Sequence, residues 1–165
     1  MGHYSAAEDV RRLPSVVLDD HSLLLGIDIG GTKTAAGVVA ADGRALSFCV
    51  EPTPRDADAA TLFAFVVALA ERACGGYMDR VVAAGVGCGG PMIYPDGIVS
   101  PLFIPAWRLF PLRTRLASAL ALPITLDNDA NAFALGEAMF GAGRGARAML
   151  GMIVSTGVGG GIVAD

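Results

Sequence analysis

Cysteine is scarce in this sequence, and its spacing excludes two common ways of stabilising a small domain. The three cysteines, Cys49, Cys74 and Cys88, lie far apart, with no CxxC pair and no paired histidines. An odd number at such spacing indicates neither a disulfide framework nor a zinc site. The expected location is therefore the reducing cytoplasm.

Clusters of basic residues are missing as well, and so are long uninterrupted apolar runs. The net charge of -4 gives no electrostatic footprint for nucleic acid, so no nucleic-acid partner is expected. The longest uncharged stretch, residues 148–164, is interrupted by glycines and hydroxyl side chains, which argues against a membrane span and predicts no membrane partner. Residues 1–22 lack the apolar centre of a secretory signal and are expected to form a flexible leader.

What the sequence does contain is enough apolar residues for a core, arranged in an α/β pattern. Its 165 residues, 53% of them hydrophobic, fit one domain, or one domain and part of another. Period-two runs predict a meander of three strands at residues 23–29, 34–40 and 45–50. A helix capped by Asp58 follows. Further strands at 81–87, 123–126 and 149–154 alternate with helices at 111–120 and 130–140, so the predicted order is βββαβαβα before a final hairpin.

The first strand carries a residue that a buried strand alone does not explain. The stretch LGIDIGGTKT, residues 25–34, places Asp28 among apolar residues, where a carboxylate is costly to bury without a partner. The strand ends at Gly30 and Gly31, followed by Thr32 and Lys33. This turn is not a Walker A loop, because a threonine separates the second glycine from the lysine.

A second glycine-rich turn, STGVGGG at residues 155–161, has a similar composition. Glycine lets the backbone approach a ligand closely, and consecutive N–H groups form a nest for anions. Two such hairpins predict a phosphate site, at which Asp28 acts through a bound magnesium ion. Glycine also explains a tight hairpin turn unaided, and this structural alternative stays open. A third glycine run, residues 85–90, matches GxGxxG, but Pro91 and a turn follow where a phosphate-binding helix should begin.

The stretch DNDAN, residues 127–131, follows a short predicted strand and precedes a helix. A helix N-cap is the simplest role for aspartate or asparagine at this place, yet the consecutive Asp127, Asn128 and Asp129 exceed what one cap requires. In the functional interpretation, Asp129 is a general base that accepts the proton of a substrate hydroxyl as it attacks a γ-phosphoryl group. Asn128, with two donors and an acceptor, suits sugar hydroxyls.

Five motifs in this order resemble the ROK family (repressors, open reading frames and kinases). LGIDIGGTKTAAGVV is similar to its first phosphate loop, GVGCGGPM to its sugar loop, IPAW to its tryptophan motif, LDNDANAFALGE to its catalytic segment and STGVGGGIV to its second phosphate loop. The resemblance covers nearly all of residues 23–165. It implies the α/β fold of the actin-like (ribonuclease H-like) ATPases, with a mixed central sheet, and the activity of an ATP-dependent, glucokinase-like hexose kinase.

The resemblance also implies roles for individual residues. Asp129 is expected to be the catalytic base, with the sugar held by Asn128, Gly89 and Gly90. ATP and Mg²⁺ are the implied cofactors, and Asp28 is expected to reach the metal through water. The residues implied for ATP binding are Asp28, Gly30, Gly31, Thr32, Lys33, Thr156, Gly157, Gly159 and Gly160. A hexose is the implied partner, and a homodimer is an arrangement that the sequence leaves open.

Three positions depart from the family pattern. Phe103 stands where relatives usually have a sugar-facing asparagine, Gly89 replaces a frequent proline, and Ser155 replaces the first glycine of the second loop. Phe103 removes a polar contact, which leaves the sugar specificity open. Trp107, in the tryptophan motif, is expected to pack in the core rather than to form a platform for the sugar.

The resemblance further predicts how the chain is divided. Residues 23–147 are expected to form an N-terminal actin-like lobe, and residues 148–165 the first hairpin of an incomplete second lobe. The resemblance places a structural zinc site in the rest of that lobe, so zinc is expected only there. Two alternatives to a kinase stay open: a ROK-family transcriptional regulator or non-catalytic sugar-binding protein, and an inactive truncated fragment.

Overall fold

A five-stranded mixed sheet is the centre of the fold, which a computed structural model describes for residues 19, 21–154 and 158–164. In chain order the elements are β1 (Leu23–Ile29), β2 (Lys33–Ala40), β3 (Ala45–Pro52), α1 (Ala59–Cys74), a 3-10 helix (Gly75–Arg80), β4 (Val81–Cys88), β5 (Met92–Ile93), β6 (Ile98–Val99), β7 (Phe110–Pro111), α2 (Leu112–Leu120), β8 (Ile124–Asp127), α3 (Asp129–Phe140), β9 (Ala148–Val154) and β10 (Val158–Ala164). The strand order in the large sheet is β3-β2-β1-β4-β8. β1 to β3 form the predicted antiparallel meander, whereas β4 runs parallel to β1 and β8 parallel to β4.

The period-two pattern of β1 decides which face of the sheet carries the core. Leu25, Ile27 and Ile29 are almost completely buried, while Asp28 lies on the opposite face and is only partly covered. α1 and α2 pack over the buried face. α1 begins where predicted, since the Asp58 side chain accepts a hydrogen bond of 2.7 Å from the Thr61 N–H. α3 covers the face on which Asp28 lies.

Trp107 lies in the core, as predicted. Its indole ring is fully buried and stacks on Phe110 with the ring centroids 4.6 Å apart. The indole N–H donates to the Ala59 carbonyl at 3.2 Å, so its one polar atom is satisfied. The tryptophan therefore ties the segment before α2 to the first turn of α1.

A small sheet between β4 and α2 escaped the sequence prediction. β5, β6 and β7 have two residues each and form an antiparallel sheet in the order β5-β6-β7. Strands of this length are too short to show a period-two pattern. Pro111 belongs to β7, so α2 starts at Leu112, one residue later than predicted.

β9 and β10 form a separate two-stranded sheet that packs on α3. Gly151 and Gly161 are partners across the two strands, and a Cβ atom at either would lie within 2.8 Å of the Ala134 side chain. Ala130 and Ala134 of α3 are buried, whereas Phe133 is 40% exposed. Glycine on the strands and alanine on the helix thus allow the backbones of α3 and the β9–β10 sheet to approach closely.

The other face of the β9–β10 sheet is apolar and exposed. The exposed residues are Leu150, Met152, Val154, Val158 and Ile162. A two-stranded sheet with one apolar face uncovered is only marginally stable alone. α3 is the helix that supports it within the part of the chain that the structure describes.

One described helical segment, Ala59–Arg80, is long and apolar enough to cross a membrane by length and composition. It comprises α1 and the 3-10 helix that follows. Leu62, Val66 and Leu69 on its apolar side are buried in the core. Packing against the sheet thus accounts for this composition, as it does for any core helix.

The end of α2 offers a test of backbone strain. Ala121 caps this helix in the left-handed conformation, with φ 53°, which costs a residue with a Cβ more than it costs glycine. We expect Ala121→Gly to raise the free energy of unfolding by roughly 0.5 to 1 kcal/mol. Ala119→Gly, the same change at an exposed helical position, should lower it by up to about 1 kcal/mol. Urea unfolding of both variants measures the difference, and a loss of stability in Ala121→Gly would contradict the assignment of strain.

Candidate active site

The carboxyl ends of three neighbouring strands bring acidic and glycine residues together. Asp28 near the end of β1 lies in register with Gly87 of β4, and Gly87 lies in register with Asp127 of β8. These strands are parallel, so their carboxyl ends share one edge of the sheet. In open α/β sheets, ligands bind in the crevice outside this edge.

Asp28 and Asp129 approach each other above Gly87 and Gly89. A Cβ atom at position 87 would lie 3.4 Å from the Asp129 Cα and 3.7 Å from Asp28 Oδ1. At position 89 it would lie 3.2 Å from Asp129 Oδ2. A Cβ at position 89 would therefore crowd the Asp129 carboxylate, whereas one at position 87 would be in ordinary contact with both aspartates. The sequence predicted Asp28, Asp129 and Gly89 as site residues, and the structure brings all three together.

The two carboxylates influence each other electrostatically. Partial burial raises the pKa of Asp28, the negative charge of Asp129 raises it further, and Lys33 opposes the shift. Burial likewise raises the pKa of the Cys88 thiol to about 12, with added contributions from Asp129 and Asp28. Cys88 is thus a buried neutral thiol beneath the site rather than a nucleophile. A pair of carboxylates at this place favours binding of a cation.

The first glycine turn is held to the body of the protein through Thr53. The Thr53 hydroxyl donates to the Gly30 carbonyl at 2.7 Å, and the Thr53 N–H donates to the Thr32 carbonyl at 3.0 Å. The hydroxyl of Thr53 also shares a hydrogen bond of 2.9 Å with the buried hydroxyl of Thr34. Because the C=O and N–H of a trans peptide point in opposite directions, the Gly31 N–H points away from Thr53. The hydrogen bonds that hold the turn to Thr53 therefore do not use the Gly31 N–H.

Cationic side chains flank the same turn. Lys33 is exposed at the start of β2. Arg55 reaches back to the turn, and its guanidinium lies 3.4 Å from the Thr32 hydroxyl. Lys33 was predicted as a site residue from its motif, whereas Arg55 has no motif that marks it.

The segment before Trp107 contacts two glycines of the site. A Cβ at Gly31 would lie 2.3 Å from the Phe103 Cβ, and a Cβ at Gly90 would lie 2.7 Å from the Pro101 Cα. Gly90 also has a φ of 86°, which few other residues adopt. The backbone of residues 101–103 therefore fills the space beside both glycines, and the Phe103 side chain is 62% exposed above them.

Asn128, rather than Asp129, is the N-cap of α3. Its side-chain oxygen accepts the Ala130 N–H at 3.0 Å, and Asp129 Oδ1 accepts the same N–H at 2.9 Å. The capping explanation thus holds for the Asn128 oxygen and leaves its NH₂ group for other partners. Asp129 Oδ2 is the oxygen that faces Gly89.

The second glycine turn is described only in part. Thr156 and Gly157 lie outside the described residues. Gly159 lies beside the start of α3, because a Cβ there would be 2.9 Å from the Ala130 Cβ. Gly160 lies beside the Gly151 carbonyl, 3.1 Å from the place of its missing Cβ. Close packing is therefore one reason for glycine at both positions.

The carboxylate pair suits magnesium better than a softer metal. Among the described residues, no group of three or more His, Cys, Asp and Glu side chains could hold a metal ion. Two carboxylates beside a glycine turn match the way that Mg²⁺ binds, which takes one or two carboxylates and completes its shell with water and phosphate oxygens. Asp28 supplies oxygen atoms of the kind that such a site needs.

Two groups around the site escaped prediction from the sequence. Asp127 accepts hydrogen bonds at the end of β8, including one from Tyr94, a residue of the β5–β6 turn. Thr53 holds the first glycine turn from the end of β3. The DNDAN stretch marked Asp127 as unusual, but no sequence signal connects it to a tyrosine 33 residues away.

Comparison with known proteins supports one family. The sequence matches the ROK family over residues 24–165. It is 40% identical to the glucokinase of Streptomyces coelicolor over 144 residues, and this alignment covers 86% of this chain and 43% of that protein. It is 38% identical to the N-acetyl-D-glucosamine kinase of Erwinia tasmaniensis, over 87% of this chain and 46% of that protein. The fold matches that of a ROK family glucokinase from Streptomyces griseus, in complex with glucose and AMPPNP, with a TM-score of 0.79 and 38% identity over 87% of this chain and 45% of that one.

These matches confirm the predicted actin-like α/β fold. The chain spans less than half the length of the relatives named above. Within that length, the match runs from β1 through the second glycine turn and so includes both glycine turns and the DNDAN stretch. The chain belongs to the ROK family.

Proposed function

We propose that this chain forms the catalytic cleft edge of an ATP-dependent hexose kinase of the glucokinase type. The observation that carries the proposal is the approach of Asp129 to Asp28 at the carboxyl ends of β1, β4 and β8. A carboxylate base beside a cation-binding carboxylate is the arrangement that phosphoryl transfer to a hydroxyl requires. The relatives named glucokinase and N-acetyl-D-glucosamine kinase support a hexose as the acceptor.

In this proposal Asp129 removes the proton from the attacking sugar hydroxyl. Its Oδ1 already accepts the Ala130 N–H, so Oδ2, which faces Gly89, is the oxygen that takes the proton. The NH₂ group of Asn128 and the backbone at Gly89 and Gly90 orient the sugar beside this oxygen. The position of Gly90 depends on residues 101–103, which pack against it.

The first glycine turn is proposed to hold the phosphates of ATP. Gly30, Gly31 and Thr32 offer a turn whose carbonyls are fixed by Thr53. Lys33 adds a positive charge, and Arg55 adds a second one. The second turn, with Thr156, Gly157, Gly159 and Gly160, is proposed to complete the nucleotide site. Bound through Asp28, Mg²⁺ would neutralise phosphate charge.

The division of the chain also stays a proposal. Residues 23–147 would form the first lobe and residues 148–165 would belong to a second one. The separate β9–β10 sheet with its exposed apolar face supports this division. We further propose that the protein is cytoplasmic and binds neither membrane nor nucleic acid. No residue of this chain is proposed to bind zinc. The mass of the protein in solution would distinguish a homodimer from a monomer.

Asp129→Asn tests the proposed base. An amide cannot accept the proton, so we expect sugar-dependent ADP release by the protein as it is encoded to fall by about 10² to 10⁴-fold. Asp58→Asn is the matched control, because asparagine caps α1 as well as aspartate does. A coupled assay for ADP with glucose and with N-acetylglucosamine measures both variants. ADP release that Asp129→Asn leaves unchanged would refute the role, and sugar binding without ADP release by the unmodified protein would favour the non-catalytic alternative.

Gly31→Ala tests the first glycine turn. Its new methyl group would lie 2.3 Å from the Phe103 Cβ, so the turn or residues 101–103 must move. We expect affinity for ADP, measured by isothermal titration calorimetry, to fall by about tenfold or more, which corresponds to about 1.4 kcal/mol. Gly76→Ala is the control, since nothing lies within 4 Å of its Cβ position. Equal ADP affinity in the two variants would show that this turn does not hold the nucleotide.

A further inference from the structure

The Asp127 carboxylate gathers several hydrogen bonds on a single oxygen. Its Oδ1 accepts the Asn128 N–H at 2.6 Å and the Asn131 side-chain NH₂ at 3.0 Å. It also accepts the hydroxyl of Tyr94. Two of these donors lie at the start of α3, on either side of Asp129. The third comes from a different part of the chain.

Tyr94 lies in the turn between β5 and β6, and that turn is itself fixed. The Gly97 N–H donates to the Ile93 carbonyl at 2.9 Å, and the Arg113 N–H of α2 donates to the Gly97 carbonyl at 3.3 Å. The Tyr94 hydroxyl in turn accepts the Asn128 N–H at 3.3 Å. The phenol thus contacts both the carboxylate and the backbone next to the proposed base.

The chemistry of the phenol favours a donor role at neutral pH. Burial raises the pKa of Tyr94 to about 12, and the hydrogen bond to Asp127 adds to the shift. The hydroxyl therefore stays protonated and donates a hydrogen bond to the Asp127 carboxylate. A charge-assisted hydrogen bond of this kind is stronger than one between neutral groups.

We propose that Tyr94 is a positioning residue that, through Asp127, holds Asn128 and Asp129 in place for the reaction. This inference rests on the proposed function. Tyr94 touches Asp127 and Asn128 and acts on Asp129 only through them. The same contact joins the β5–β6 hairpin, which leads into residues 101–103 beside Gly90, to the start of α3. The sugar-binding side and the proton-accepting side of the site are thereby kept at a fixed separation.

A fixed separation affects turnover more than affinity. Displacing a catalytic group by a small distance costs rate, because the reacting atoms must be aligned for the transition state. Binding of ATP at the first glycine turn uses other residues. The loss of the Tyr94 hydroxyl should therefore lower kcat while leaving the KM for ATP unchanged. A general loss of folded protein would also lower the apparent kcat, so the melting temperature of each variant is needed to separate the two causes.

Tyr94→Phe tests the proposal because it removes only the hydroxyl. We expect kcat for sugar phosphorylation by the protein as it is encoded to fall by about ten- to hundredfold, with the KM for ATP within about twofold of the original. Hydrogen exchange of the amides of residues 128–131 should become faster. Tyr77→Phe, the same change in the 3-10 helix, is the control and should alter neither quantity.

The outcomes separate this proposal from the proposed function. Unchanged kcat, or unchanged amide exchange at residues 128–131, in Tyr94→Phe would overturn the positioning role while leaving the kinase assignment intact. The same fall in kcat together with the same loss of melting temperature in Tyr94→Phe and Tyr77→Phe would also overturn it, because a loss of folded protein would then explain both. No sugar-dependent ADP release by the unmodified protein would overturn the kinase assignment and the catalytic part of this inference, and amide exchange would then report on the contact alone.

Discussion

The site depends on how closely two carboxylates and the backbone can approach each other at the end of β4. Gly87 and Gly89 lie directly beneath Asp28 and Asp129, and a Cβ at position 89 would come within 3.2 Å of Asp129 Oδ2. Burial raises the pKa of Asp28, and the negative charge of Asp129 raises it further. Lys33 opposes this shift, and the proposed Mg²⁺ would offset the charge of the pair further.

Small residues control the geometry in the surrounding shell as well. Gly31 and Gly90 receive the backbone of residues 101–103, while Gly151 and Gly161 receive Ala134 of α3. The same residue type thus has two uses in this protein, in the turns of the proposed site and in close helix–strand packing. Gly159, beside Ala130, serves the second use whatever it contributes to the first. Composition alone does not separate them, because both require only the absence of a side chain.

Much of the fold could be predicted from local patterns. β1 was predicted with its observed bounds because alternation along one strand depends only on which face is buried. The start of α1 at Asp58 followed from capping chemistry, which involves neighbours three residues apart. The two-residue strands β5 to β7 and the exposure of Phe133 were not predictable, since short strands have no periodicity and α3 meets glycine strands rather than a broad apolar surface.

The family, the strand–helix order and the identity of Asp28 and Asp129 as unusual carboxylates could be inferred before folding, because each depends on residues that are close together along the chain. The meeting of the two carboxylates, the support of the first glycine turn by Thr53 and the contact of Tyr94 with Asp127 are visible only in the folded chain. These contacts join residues from 23 to about 100 positions apart. Their geometry follows from strand order and register, which no local pattern specifies.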